Sequence, residues 1–320
     1  MSQDFLFQAM QKAVDIVNDS PHPTNKVAAS LLSRGNKIVS HTNYWPAPIA
    51  NNIGLGCRIG NSSGTVHAET ATILTAENTQ GAGMFITDPF CPNCAKNIAE
   101  AGIKDVYIDH KGFEKDFWER RSGCFKNMSM EIVARAGISV FRIHRKDRRI
   151  DTIHTPDVNY IPKEDSPLEI EQGPKSQDFF EMLIAHKYAH HYNRKIAIGL
   201  AENSDGTVFG ITSRVHAVTG YSLTNDNDVD MILQAKERYS FMQEPINRYL
   251  MACKRLGLTP LHDYLFCSQV PSAREMVNAV GAGFSKLHLG DPFKSRDQSG
   301  IQARDLLRDK GVMTFVTFKK

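Results

Sequence analysis

The feature that most constrains this chain is that it repeats itself, in order. Ser2-Gln3-Asp4-Phe5 recurs as Ser176-Gln177-Asp178-Phe179, and Gly137 to Phe141 (GISVF) recurs as Gly311 to Phe315 (GVMTF), both at an offset of 174. Between them, Met84-Phe85 and Ala101-Gly102-Ile103 match Leu265-Phe266 and Ala282-Gly283-Phe284 at a constant offset of 181. Matched segments in one order mean one folded unit written twice. The 320 residues therefore divide into 1–145, a connecting segment 146–175, and 176–320. Each outer part has the length of an ordinary domain. The connector follows the first of a cluster of basic residues (Arg145, Lys146, Arg148, Arg149) and carries Pro156, Pro162, Pro167 and Pro174. That composition predicts a linker without helix or sheet.

Within the first copy the apolar pattern predicts a helix over 4–18, with Phe5, Ala9, Ala13 and Ile16 on one stripe. Strands are expected at 27–32 and 37–41, joined by a turn at Arg34-Gly35-Asn36. After a long loop come helix 68–77, strand 83–87, helix 92–101, strand 105–109, helix 127–136 and strand 138–143. A helix between the last two strands makes their connection a crossover and the pair parallel. The expected class is α/β, three layers with helices on both faces of one sheet, duplicated in tandem. With 41 % hydrophobic and 23 % charged residues, both copies have the means to bury a core, which excludes disorder. A net charge of +3 lacks the basic footprint of a dedicated nucleic-acid binder. No apolar run approaches the roughly 18 residues of a membrane span, and the N-terminus has no secretory pattern. A cytoplasmic protein without a membrane partner is expected.

Three side chains of the first copy suit a metal. Cys91 and Cys94 form a C-x-x-C at the start of a predicted helix, which places both sulfurs on one face near N–H groups that favour thiolates. His67 precedes the other central helix. One imidazole and two thiolates leave a fourth Zn2+ position open, as in catalytic rather than structural sites. Glu69, two residues beyond His67, is placed to move a proton between an activated water and a leaving nitrogen. Cys57 is expected to be a buried or unpaired thiol. Phe117 and Trp118 read equally as core residues or as a surface on which a base stacks.

H-x-E followed by C-x-x-C is the signature of zinc deaminases of nucleobases. Residues 1–143 thus resemble the cytidine/deoxycytidylate deaminase superfamily, by motif, spacing and order of elements. Asn25-Lys26-Val27-Ala28-Ala29 is similar to the T-K-V-G-A stretch of deoxycytidylate deaminases, and Asn43-Tyr44-Trp45-Pro46 to their N-G-F-P. The resemblance implies a mixed five-stranded sheet with the ligands at two helix N-termini. It also implies substrate contacts at Asn43, Lys26, Ala68 and Pro89; Asn43 alone would otherwise be read as a turn residue. The helix before the final strand is similar to the deoxycytidylate, tRNA-adenosine and riboflavin-pathway branch. The chain departs from the family pattern at Phe90, where Pro is usual before the first Cys, and at Ala71, where many deoxycytidylate deaminases carry Asn. Its loop from Ala47 to Gly64 is also longer.

In the second copy the offset of 181 puts Ser272 and Glu275 at the cysteine positions, and Met242-Gln243-Glu244 is the nearest match to His67-Ala68-Glu69, with Ser213 near the place of Asn43. Met, Ser and Glu are not zinc's usual ligand set. This copy is expected to be metal-free, with Glu244 a surviving glutamate, and to pack on the first as an intramolecular pseudo-dimer that completes its pocket. Neither His216 nor the pair His190-His191 is expected to hold metal. The activity implied is hydrolytic deamination of cytosine in a (deoxy)cytidylate-type nucleotide, with Lys26, Arg120 and Arg121 as candidate phosphate partners. An RNA or tRNA base deaminase, a riboflavin-pathway deaminase and a non-catalytic nucleotide-binding regulator are the alternatives. Further homo-oligomerisation stays open.

Overall fold

A computed structural model describes residues 2–115, 123, 125–165, 167–191, 194–233 and 239–318. The first half opens with α1 (Gln3–Ile16), followed by the hairpin β1 (Ala28–Leu32) and β2 (Ile38–Thr42), which turns through Asn36 at φ 60°. The long loop holds α2 (Ala47–Asn52) and a short hairpin, β3 (Arg58–Ile59) and β4 (Ser62–Ser63). Then α3 (Ala68–Thr75), β5 (Gly83–Ile86), α4 (Pro92–Glu100), β6 (Asp105–Asp109), α5 (Met130–Arg135) and β7 (Ser139–His144) alternate as expected. An additional strand, β8 (Arg149–His154), follows.

The second half starts with β9 (Leu168–Gly173), α6 (Gln177–His190), β10 (Ile196–Glu202), β11 (Val208–Arg214) and β12 (His216–Ala217). It continues with α7 (Asp226–Leu233), β13 (Met242–Gln243), α8 (Pro245–Arg255) and β14 (Thr259–Val270). It ends with α9 (Ala273–Gly281), β15 (Lys286–Ser295), α10 (Gln298–Asp309) and β16 (Thr314–Thr317).

The sheets run β2-β1-β5-β6-β7-β8 and β16-β15-β14-β10-β11-β9. Five strands keep one order in both, with β5-β6-β7 and β14-β15-β16 parallel. The expected five-stranded sheet therefore gains a sixth strand in each half, and on opposite edges: β8 lies along β7, and β9 along β11. Both extra strands come from 146–175, the segment expected to lack regular structure. Its prolines fall between and beside the strands, at 156, 162, 167 and 174, so no ladder N–H is lost. Each added strand covers an edge that would otherwise offer open hydrogen-bonding groups.

Side-chain alternation divides each sheet into two faces. α1 packs on Leu32, Phe85, Tyr107 and Ile143, while α6 packs on Ile196, Ile198 and Phe266. The opposite faces, including Leu31, Met84 and Val106 in one half and Leu265, Cys267 and Leu287 in the other, share one continuous core filled by the remaining helices. Between the sheets α3 and α4 rest directly on α8. Arg248 of α8 donates to both oxygens of Glu100 at the end of α4, at 2.9 and 2.8 Å, and to the carbonyls of His216 and Ala217. Nearby, Gln243 donates to Asn97 at 2.8 Å, and Lys96 to the Met242 carbonyl at 2.9 Å.

This buried pair makes a sharp prediction, because a lone buried charge costs more than the pair gains. Arg248→Ala is expected to lose about 3–5 kcal/mol in guanidinium unfolding. The Glu100→Gln/Arg248→Met double variant should recover most of that loss.

Candidate active site and metal centre

The candidate ligands sit where two helices begin. His67 is the N-cap of α3, with extended backbone at φ −73° and ψ 150°, and Cys91 is the N-cap of α4, at φ −83° and ψ 166°. Pro92 starts α4 at the position where a missing N–H is harmless, and Cys94 closes the first turn. His67 Nδ1 lies 3.3 Å from Cys94 Sγ and 3.6 Å from Cys91 Sγ, and the two sulfurs are 3.6 Å apart. Zinc bonds of ordinary length at tetrahedral angles place such edges at about 3.5 Å for N to S and about 3.8 Å for S to S. The triangle fits zinc. Among the described residues it is the group of three or more His, Cys, Asp or Glu side chains placed to hold a metal ion.

Protonation follows from the same contacts. The hydrogen bond with Cys94 holds the Cys91 thiol well below its ordinary value, against the effect of burial and with help from His67. Cys94 is pushed well above its own, first by that bond and then by burial. Of the two, Cys91 is the thiol that its contacts and the helix start favour as the anion. Glu69 stands in the first turn of α3 and is only 4 % exposed; burial raises its carboxyl above the usual glutamate range.

A cavity of about 150 Å³ opens on the triangle and is lined by His67, Cys91, Glu69, Ala68, Pro89 and Asn43. Six of the expected site residues are therefore joined here with a seventh, Cys94, just behind. Asn43 is braced rather than free: Oδ1 accepts from Ser20 Oγ at 2.8 Å and Val27 N at 2.9 Å, while Nδ2 donates to Asn25 O at 3.0 Å. Lys26 is not brought to the cavity; its Nζ donates to the Asn18 carbonyl at 2.8 Å. Phe117, Trp118, Arg120 and Arg121 lie outside the described residues. The three arginines of the basic cluster are paired, Arg145 with Asp109 and Gln11, Arg148 with Asp4 and Arg149 with Asp151.

His22 also lines the cavity, and sequence reasoning missed it. Its Nδ1 accepts from the backbone N–H of Asn25 at 2.9 Å and of Thr24 at 3.3 Å, and its ring stacks on Trp45 at 5.3 Å. Burial, and then the charge of His67, lower its pKa, so the neutral ring carries its proton on Nε2. The Pro21-His22-Pro23 context, a histidine held in a stiff loop just ahead of Asn25, was the available signal.

The second half keeps the two helix starts and changes what fills them. Glu244 is the N-cap of α8, Ser272 is the N-cap of α9 and Glu275 closes the first turn of α9. Glu244 hence stands where His67 does, and Ile246 where Glu69 does. The expected correspondence of Met242-Gln243-Glu244 with His67-Ala68-Glu69 is out by two residues, and Glu244 is not a surviving counterpart of Glu69. Likewise the pairing of β10 with β11 and β14 puts Val215, not Ser213, at the place of Asn43. A lysine fills the middle: Lys195 Nζ donates to Glu244 Oε2 and to Glu275 Oε2, each at 2.6 Å. Burial alone would lower Lys195, but Glu244 and Glu275 outweigh it and hold the ammonium charged. Arg296 binds the other oxygen of Glu244 at 2.7 Å.

A family model described as the cytidine and deoxycytidylate deaminase zinc-binding region matches residues 4–110, which include His67, Glu69, Cys91 and Cys94. Deoxycytidylate deaminase of Enterobacteria phage T4 is 35 % identical over 91 residues, 27 % of this chain and 42 % of the phage protein. The aligned part thus spans less than half of that relative. A protein described as an uncharacterized deaminase in the luxG 3' region of Aliivibrio fischeri is 30 % identical over 123 residues, 38 % of this chain and 81 % of the relative. Among solved structures, the dCMP deaminase of cyanophage S-TIM5 in complex with dCMP and dUMP aligns at 20 % identity over 45 % of this chain and 99 % of its own, with a TM-score of 0.34.

Elemental analysis is expected to give one zinc per chain, falling to none in Cys94→Ala. Lys195→Met should keep that zinc while losing about 3 kcal/mol or more in denaturant unfolding, because two buried carboxylates are left facing each other.

Proposed function

The chain belongs to the cytidine and deoxycytidylate deaminase family, and from that premise we propose that it hydrolyses the exocyclic amine of cytosine in a (deoxy)cytidylate-type nucleotide. In this proposal His67, Cys91 and Cys94 hold zinc, and the second half is a metal-free partner that supports the first. The observation that carries it is one cavity wall on which a buried carboxylate, Glu69, adjoins the His-Cys-Cys triangle. Zinc, when bound, supplies the Lewis acidity that makes a water nucleophilic at neutral pH.

The remaining work falls to the chain. Glu69 takes a proton from the attacking water and delivers it to the amino nitrogen. The ring carbon gains oxygen, its C–N bond breaks, and ammonia leaves. A carboxyl whose pKa burial has raised is suited to both halves of that transfer. Pockets for drug-sized ligands run to roughly 300–1,000 Å³. A cavity of about 150 Å³ therefore takes a single ring and leaves sugar and phosphate at its mouth. His22 presents Nε2–H to an acceptor on that ring or sugar. Among the described residues, the arginines at 145, 148 and 149 are each paired with an acidic side chain, which with a net charge of only +3 favours a free nucleotide over RNA.

Ammonia release measured over a panel of nucleosides, nucleotides and short oligonucleotides should be greatest with deoxycytidylate or cytidylate. Glu69→Ala is expected to lower kcat by about 10²–10⁴-fold or more with zinc retained. Full turnover in that variant would falsify the assignment.

A further inference from the structure

The cavity is lined in part by Ser63 and Thr65, which belong to the segment leading from the long loop of the first half to His67. That loop does not stand on its own half alone. The β3–β4 hairpin is seated on α9 and α10 of the second half. At Gly60, φ is 56° and an added Cβ would come within 2.4 Å of the Ser299 carbonyl. At Gly281 an added Cβ would lie 2.5 Å from Val66 Cγ2, one residue before His67. Tyr44 OH donates across the same seam to the Gly281 carbonyl at 3.2 Å.

One charged side chain joins this seam to the cavity. Arg274, from the first turn of α9, donates from Nη1 to the Thr65 carbonyl at 2.6 Å. From Nη2 it donates to Ser63 Oγ at 3.1 Å and to the Ser63 carbonyl at 3.5 Å. Ser63 Oγ and Thr65 Oγ1 are in turn 2.9 Å apart. Either hydroxyl could donate in that contact, but a guanidinium donating to Ser63 Oγ polarises Ser63 and favours it as the donor to Thr65 Oγ1. The Thr65 hydroxyl proton is then left for the cavity.

We infer that Arg274 is a positioning residue of the active-site wall, supplied by the half that lacks the His-Cys-Cys set, and that it makes Thr65 a hydrogen-bond donor to an acceptor atom of the bound nucleotide. Arg274 stands between Ser272 and Glu275, the residues at the two cysteine positions. The helix start that carries no metal set in the second half thus serves the pocket of the first. The substrate half of this inference rests on the nucleotide reading above; the positioning half does not.

The test uses the full, zinc-loaded chain. Arg274→Ala and Thr65→Val are each expected to raise KM for deoxycytidylate about tenfold, with kcat within about twofold. The double variant should rise no further than either single one, as required of two residues acting in series. Thr65→Ser should restore the wild-type KM, and Arg274→Lys should fall between, since an ammonium is a point donor and not a fork. Hydrogen–deuterium exchange of Arg274→Ala should speed at residues 58–66 and stay unchanged in α1 and its sheet. Additive KM effects in the double variant, or an unchanged KM with a lowered melting temperature, would reduce Arg274 to structural glue and overturn the inference. Unchanged exchange at 58–66 overturns it as well. If the wild-type chain ignores deoxycytidylate, the substrate reading fails, and the exchange experiment still decides on Arg274.

Discussion

Everything in this molecule is arranged around a convergence of helix starts. An N-terminus presents unpaired N–H groups and the positive end of a dipole, so it selects anionic or acceptor side chains. Two such starts side by side gather several acceptors into one buried spot, and gathered anions need a cation. The first half answers with His67, Cys91 and Cys94, a set that suits zinc. The second half answers with Glu244, Ser272 and Glu275, and supplies the cation as a side chain, Lys195. Both follow from one electrostatic demand.

The same convergence explains why the halves meet as they do. The helices that carry the ligands lie on the inner face of their sheet, and their flanks, α3 and α4, need cover. α8 provides it, with Arg248 reaching the far end of α4 through Glu100. A pair this buried is poor evidence for stability in itself, because desolvation offsets much of the attraction. It is good at fixing register: displacement of α8 along α4 would bury both charges unpaired. The long loop of the first half is held against α9 and α10 at the same seam, so the shape of the cavity depends on how the two halves are joined.

Part of this was legible in the sequence and part was not, for physical reasons. The repeat, the ligand triad, Glu69 and the parallel β6–β7 pair all announce themselves locally, through spacing and helix-start chemistry. Strands β8 and β9 did not. Each lies at an edge, and the prolines that argued against regular structure prove to be its boundaries. The register of Glu244 was misjudged because the offset between copies drifts: 168 from Val27 to Lys195, 177 from His67 to Glu244, and 181 from Cys91 to Ser272. No local pattern reveals such drift. Arg274 and Lys195 were invisible because their partners are far away in the chain, and nothing in the flanking residues marks them.

The two solutions to the cation demand differ in what they depend on. An ion held by ligands binds only as tightly as its free concentration and its ligands' deprotonation allow, so a half organised by zinc shares its stability with the metal supply. An ammonium on the chain is always present at its site and is lost only with the fold. It brings no open coordination position, however, and so no chemistry. Lys195 therefore neutralises the helix starts of the second half with a charge carried on the chain itself. In the proposed reading, that half can hold its shape whether or not the first carries its ion, as a support for the long loop through Arg274 requires. The proposed division between a reactive half and a supporting half would then follow from which kind of cation each helix pair encloses.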